Sequence, residues 1–246
     1  MGAAVVTPGE LLLLFDIDGT LVSGATAAHA AALHTALHEV HGLADVEPAR
    51  TLGIDPAGRT DPEIARLLLL AHGVSAERID ARADDVRIAC CEEYARTCPP
   101  DLSDTVLPGI PQLLASLAER DGVRLALLTG NYEAVARVKL RSAGVGGWFE
   151  AGQGAFGSDS EDRAELPEIA RERAGRSGRP ARTGAPHPRD RTIVIGDTPR
   201  DVACALADGI RCLGVETGRF SAAELHGATA VARDARSLAP LIDALI

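Results

Sequence analysis

Residues Leu11–Phe15 form an unbroken run of five apolar side chains, the pattern of a short strand buried on both faces. The same texture returns at residues 124–129 and 192–197, and at Arg211–Val215. Between these runs the apolar positions follow helical spacing. Residues 25–41 are Ala-rich, with Leu33 and Leu37 four apart on one face. His34, His38 and His41 also follow helical spacing and read as a solvated face. Asp61-Pro62 opens a second helix to about His72, with Asp61 as its cap and Pro62 at its first position. Ser75 caps a third, longer helix over 76–96, which Pro99-Pro100 ends. Further helices are predicted over 110–120, 132–143, 165–174 and 199–207. Trp148-Phe149 and Ala155-Phe156 bracket a third strand, and residues 228–232 read as a marginal strand between short helices at 221–226 and 237–245. Residues 175–190, rich in Gly, Pro and Arg, read as a mobile loop.

Strands alternating with helices predict an α/β fold, a parallel sheet doubly wound with helices on both faces. Residues 23–105 carry no strand pattern and interrupt the alternation after the first strand. They are expected to form an all-helical cap domain inserted into an α/β core made of residues 1–22 and 106–246. A chain of 246 residues, 46% hydrophobic and 24% charged, has enough apolar material for such a core, built from aliphatic side chains because only 3% of residues are aromatic. The net charge of −10 argues against a nucleic-acid partner. The opening residues lack the basic and apolar segments of a signal peptide or membrane span. Five cysteines without paired spacing fit a reducing cytoplasm, so a cytoplasmic protein with no membrane partner is expected; the oligomeric state is left open.

The predicted strands end in polar residues: Asp16 and Asp18, Thr129-Gly130-Asn131, and Asp197-Thr198 with Asp201. In a doubly wound sheet, ligands bind outside the carboxyl ends of the strands. An Asp-Gly turn accounts for Asp18-Gly19 but leaves Asp16 unexplained. Carboxylates gathered at such an edge repel one another unless a divalent cation or acid–base chemistry uses them. Phosphoryl transfer suits the set. Asp16 can attack phosphorus, and Asp18 can protonate the leaving oxygen and later activate water. Asp197 can share a Mg²⁺ with Asp16, and Asp201 can orient the metal or its waters. The Thr129 hydroxyl and the amides that open the next helix can hold phosphate oxygens. Of 25 basic residues only Lys139 is a lysine, on that same helix; a compact charge reaching back beside Asp16 would offset its repulsion with phosphate.

These residues resemble the haloacid dehalogenase superfamily of aspartate-nucleophile hydrolases. The resemblance rests on Asp16-Ile17-Asp18-Gly19-Thr20, Leu128-Thr129-Gly130-Asn131 and Gly196-Asp197-Thr198-x-x-Asp201. It extends over the whole chain, since many members carry a helical cap where this insert falls. It implies Asp16 as nucleophile and Asp18 as acid/base. It also implies Mg²⁺ held by Asp16, the Asp18 backbone carbonyl and Asp197. The family's basic residue before the fourth motif is often a lysine followed by proline, and residues 157–163 contain no lysine. Either Arg163 or Lys139 takes that place, and the uniqueness of the lysine favours Lys139. Dehalogenase-like members lack the second aspartate, and phosphonatase-like members need a cap lysine that is absent here. A phosphatase similar to the phosphoglycolate phosphatases, acting on a small-molecule phosphate ester, fits best. A sugar-phosphate mutase uses the same two aspartates, and a catalytically silent binding protein on this fold is the alternative from another class.

The loop over residues 53–61 joins two cap helices, and its Gly-x-Thr-Asp stretch looks similar to a cap loop that closes over the site in related phosphatases. Arg59 and Thr60 are expected to reach the leaving group, with Arg59 binding an anionic part of it.

Overall fold

The computed structural model describes residues 9–177 and 185–245. Strands β1 (Leu11–Phe15), β2 (Val123–Thr129), β3 (Ala155–Phe156), β4 (Thr192–Gly196), β5 (Arg211–Val215) and β6 (Ala230–Ala232) form one parallel sheet in the order β3-β2-β1-β4-β5-β6. The helices are α1 (Ala27–His41), α2 (Asp61–Ala71), α3 (Ala76–Ala81), α4 (Ala83–Thr97), α5 (Ile110–Ala118), α6 (Glu133–Ser142), α7 (Leu166–Ser177), α8 (Pro199–Ala207) and α9 (Ala235–Asp243). Strand β1 lies between β2 and β4, with Leu13 opposite Leu125 on one side and Ile193 on the other. Alternation along β1 explains its continuous apolar run. Leu11, Leu13 and Phe15 pack in one layer with residues of α5, α6 and α9, while Leu12 and Leu14 pack in the other with residues of α7 and α8. The sheet order reverses at β1, so its carboxyl end opens into the crevice where doubly wound folds bind ligands.

Helices α1 to α4 share a third apolar cluster, in which Leu33, Leu37, Leu68, Leu69, Val86 and Tyr94 meet. Tyr132 and Val135, from the start of α6, complete it. The chain leaves and re-enters the sheet layer at one point: Val22 bridges Val106, Ser23 N–H donates to Thr105 O at 2.8 Å, and Leu107 N–H donates to Leu21 O at 3.0 Å. Among the described residues no helix is long and apolar enough to cross a membrane.

Several local expectations change. The helix predicted over 76–96 is two helices broken at Arg82, which leaves helical geometry (φ −121°, ψ 10°) so that α3 lies against α2 and α4 against α1. His41, expected on a solvated face, is buried with neither ring nitrogen hydrogen-bonded, and burial lowers its pKa. The third strand is Ala155–Phe156 itself, and Gly146–Trp148 is a 3₁₀ turn. Residues 221–226 form turns rather than a helix, because Glu224 folds back onto the Ser221 N–H and hydroxyl. Of the loop expected over 175–190, α7 takes the start and a 3₁₀ turn at Arg189–Arg191 the end, while residues 178–184 lie outside the described residues.

Away from the strand ends, a buried ion pair joins α7 to the end of α8. Arg171 grips Asp208 through two bonds, Nε–Oδ2 at 2.6 Å and Nη2–Oδ1 at 2.7 Å, and donates to His187 O at 2.9 Å. Removing one partner of a buried pair leaves an uncompensated charge, at a cost of about 3–5 kcal/mol. Arg189, on the exposed side, also donates to Asp208 Oδ1 (Nη2 at 3.0 Å), so Arg171→Met leaves the carboxylate one partner and should lower the unfolding free energy by less, about 1.5–3 kcal/mol, read from urea denaturation midpoints at unchanged slope. A shift below 1 kcal/mol would make the pair incidental to stability.

Candidate active site

The sharp turn after β1 sets the site. Gly19 adopts φ +95°, a conformation that disfavours side chains, and a Cβ there would stand 2.2 Å from Asp197 Oδ2. From the other side a Cβ on Gly218 would stand 1.8 Å from the same oxygen. Two bare glycines thus seat Asp197 at the end of β4, and the Thr20 hydroxyl donates to its Oδ1 at 3.2 Å. Asp16, Asp197 and Asp201 each offer an oxygen within 4.8 Å of the others, and all three are buried. Burial and mutual repulsion push the Asp16 and Asp197 carboxyls well above the usual range, against the pull of Arg163 on Asp16. A divalent cation with hard oxygen preference is the ordinary remedy for such a cluster, and the donor set fits Mg²⁺. Asp201 is fully occupied: its Oδ2 accepts from the Thr198 N–H and hydroxyl in a capping box at the start of α8, and its Oδ1 accepts from Arg163.

The two candidate cations have different partners. Arg163 Nη2 donates to Asp16 Oδ1 at 3.2 Å and to Asp201, and its buried Nε has no hydrogen-bond partner. Lys139, expected beside Asp16, lies instead beside Asp18. It is completely buried, and its Nζ is 2.8 Å from both Asp18 oxygens and 2.9 Å from Asn131 Oδ1. Three acceptors round one nitrogen match the three donors of an ammonium. Burial raises the Asp18 carboxyl, but Lys139, His29 and Asn131 more than reverse it, and its pKa lies below the usual value. The uniqueness of the lysine marked a tailored burial, and the partner differs from the expected one because the turn of α6 on which Lys139 sits faces Asp18.

At the end of β2, Thr129 and Gly130 line the same cavity as Asp16, and Asn131 Nδ2 donates to Asp18 Oδ2 at 3.1 Å. The amides expected to be free for phosphate are already used. Asn131 N–H donates to Thr129 Oγ1, Tyr132 N–H to Asp61 Oδ2 at 2.7 Å, and Glu133 N–H to Ser158 Oγ at 2.8 Å. The Thr129 hydroxyl, Gly130 and the Asn131 side chain are what this strand end presents.

Residues 11–207 match the haloacid dehalogenase-like hydrolase family. The protein is a haloacid dehalogenase-like hydrolase. It is similar to a phosphoglycolate phosphatase of Pseudomonas fluorescens, 27% identical over 216 residues that cover 86% of this chain and 72% of that one. It is also similar to a probable phosphatase IndB of Dickeya dadantii, 28% identical over 221 residues, 88% of this chain and 86% of that one. Among solved structures, a β-phosphoglucomutase from Clostridium difficile superposes with TM-score 0.67 at 16% identity, covering 97% of both chains, and a predicted phosphatase from Clostridium acetobutylicum with TM-score 0.66 at 21%, covering 96% and 100%. These structural likenesses establish the fold.

In this haloacid dehalogenase-like hydrolase the helices between β1 and α5 close over the strand ends and leave a cavity of about 680 Å³. Arg59 lines it, but its Nη1 pairs with Glu63 and its Nε donates to Asp55 O at 2.8 Å. Thr60, expected to reach the leaving group, does not line the cavity. It is the N-cap of α2, accepts from Glu63 N–H, and its hydroxyl donates to Glu161 O at 2.7 Å; Thr60 itself is fully buried. Asp61, read as the cap of α2, is one residue too late for that role. Its Oδ2 lies 3.0 Å from His29 Nε2 and accepts the Tyr132 N–H, while its own N–H donates to Gly130 O at 2.8 Å. His29 and Arg219 also line the cavity, and sequence reasoning missed both. His29 falls on the helix after the first motif, but it is neither an apolar member of its stripe nor in step with His34, His38 and His41. Arg219 follows β5, at a strand end left without a role.

A Cβ on Gly130 would stand 2.0 Å from Arg59 O, so the hydrolase brings its insert onto bare backbone there. Gly130→Ala should lift residues 59–61 from β2 and speed amide exchange at Asp61 and Tyr132 at least tenfold. Gly147→Ala, where nothing lies within 4 Å, should leave those amides unchanged. Unaltered exchange in Gly130→Ala would show that this contact does not seat the insert.

Proposed function

We propose that the protein is a Mg²⁺-dependent phosphatase that hydrolyses a small-molecule phosphate monoester through an aspartyl phosphate on Asp16. The observation that carries the reading is Asp16 itself, a buried carboxylate on the cavity wall with the Arg163 guanidinium beside it and a half-buried second carboxylate, Asp18, two residues on. Asp16 attacks phosphorus and the ester oxygen leaves with a proton from Asp18. Asp18 then takes a proton from water, the water oxygen attacks the phosphorus of the aspartyl phosphate, and inorganic phosphate departs from the regenerated Asp16. The depressed pKa of Asp18 suits the second step. A dianionic phosphate arriving beside it opposes the pull of Lys139 and favours the protonated form that the first step needs.

Asp16, Asp197 and the Asp18 backbone carbonyl would hold Mg²⁺, with Asp201 adding charge behind them. The ion would offset the negative charge of carboxylates and phosphate together. Arg163 takes the place of the family's usual lysine toward the phosphate, which its contact with Asp16 and its unpartnered Nε support. Lys139 orients Asp18 and Asn131. Thr129, Gly130 and Asn131 face the transferred phosphate. The same reading takes residues 23–105 as the cap and residues 1–22 with 106–246 as the catalytic core, as the junction at Val22 and Val106 supports.

Phosphate release from p-nitrophenyl phosphate should require Mg²⁺ and vanish with EDTA; a mutase would instead keep the phosphoryl group on its product. Asp16→Asn should abolish turnover, since the amide cannot attack phosphorus. Asp18→Asn should cost roughly 10²–10⁴-fold and let labelled aspartyl phosphate accumulate, whereas Arg163→Ala should slow its formation by roughly 10²–10³-fold. Turnover within tenfold of wild type in Asp16→Asn would remove it as nucleophile.

Metal binding has its own readout. Relieving repulsion with Asp197→Asn should raise the melting temperature in EDTA at pH above about 8, where the raised Asp197 carboxyl ionises and the variant removes one charge from the cluster. The same variant should lose most of the upward shift that saturating Mg²⁺ gives wild type. A full Mg²⁺ shift in Asp197→Asn would exclude it as a ligand.

A further inference from the structure

The cavity is far larger than its phosphate end requires. Its volume of about 680 Å³ falls in the roughly 300–1,000 Å³ range of sites for drug-sized ligands, and a two-carbon leaving group would leave most of it to water. Beyond the carboxylates the wall turns apolar. Helix α1 presents Ala27, Ala30 and Leu33 at three-residue spacing, α2 presents Ile64, and the loop between them presents Pro48 and Pro56. Ala27 and Ala30 remain exposed at these positions, so α1 turns small side chains toward the space and keeps it open.

The cations around this chamber carry their own counter-charges. Arg59 is paired with Glu63, Arg219 with Asp55, and His29 lies 3.0 Å from the Asp61 carboxylate. Each of the two arginines already has a carboxylate beside it, so a small anionic leaving group such as glycolate would meet little net positive charge there. Arg50 and His34 are the exceptions among the described residues lining the cavity toward the insert: Arg50 stands exposed, where water and salt screen it, and burial with His72 nearby lowers the pKa of His34. The two observations, room and local neutrality, are independent.

Resting on the phosphatase reading above, we infer that the substrate is the phosphate monoester of a bulky, predominantly apolar alcohol or phenol, whose body fills the chamber under α1. Small carboxylated esters are then poor substrates. Apolar area removed from water supplies the preference, at about 0.8 kcal/mol per buried methylene, so a few additional buried carbons suffice for a tenfold effect.

Two probes with different leaving groups test this, 1-naphthyl phosphate and 2-phosphoglycolate. Wild-type protein with Mg²⁺ should show kcat/KM at least tenfold higher for the naphthyl ester. Calorimetry on Asp16→Asn, which does not depend on turnover, should show the same order of Kd. Ala30→Asp, checked by its melting curve, should weaken naphthyl phosphate binding tenfold or more and phosphoglycolate much less. Equal or tighter binding of phosphoglycolate would overturn the inference, as would equal losses on both esters in Ala30→Asp; should that variant not fold, the wild-type and Asp16→Asn comparison decides. If Asp16→Asn prefers the naphthyl ester while wild type hydrolyses neither, the chamber stands and the phosphatase reading fails. If hydrolysis requires Mg²⁺ but phosphoglycolate is preferred in both measurements, the phosphatase reading stands and the chamber fails.

Discussion

Three buried carboxylates with oxygens inside 4.8 Å of one another cannot be stable on their own charge, and much of the surrounding structure answers that constraint. Gly19 and Gly218 give Asp197 its room, Thr20 donates to it, and Thr198 clamps one oxygen of Asp201. Arg163 places one guanidinium nitrogen between Asp16 and Asp201. These contacts hold the cluster in place without cancelling it, and burial, with the repulsion that remains, keeps the Asp16 and Asp197 carboxyls above the usual range. A divalent cation would relieve the remaining imbalance.

A second level of organisation separates the work of two cations. Arg163 stands on the Asp16 side and Lys139 on the Asp18 side, and neither touches the other's carboxylate. The lysine has all three donors spent within the protein, whereas the arginine keeps a buried Nε unspent. A guanidinium with a donor to spare suits a residue that receives a ligand, and a saturated ammonium suits one that fixes a neighbour.

The sheet and the ends of its main strands were readable because their causes are local. Five apolar residues in sequence can be buried on both faces only in the middle of a parallel sheet, and the aspartates that follow must then lie at its edge. Partners were harder to read, because they come from distant segments. Composition singled out Lys139, yet whether it meets Asp16 or Asp18 depends on how α6 settles against β1. Amides at the start of α6 looked available, but Asp61 and Ser158 reach them from 71 and 25 residues away. Thr60 and Asp61 exchanged roles for a similar reason. Either can cap a helix that begins Asp-Pro, and the choice falls to Thr60 because Asp61 is drawn to Tyr132 and His29.

The seam between insert and sheet has a consequence for how lids and bodies can be recombined. Asp61 bonds Gly130 O and the Tyr132 N–H, Thr60 bonds Glu161 O, and Tyr132 and Val135 complete the apolar cluster of the helices above. The hydrogen bonds reach backbone groups on the sheet side, indifferent to side-chain identity there, and they tie residues 60–61 to residues 130–132 and to Glu161. An insert transplanted from a relative would therefore have to match this strip, whatever its interior. Leaving-group preference can drift freely across the ceiling while the floor goes on handling phosphate in the same way.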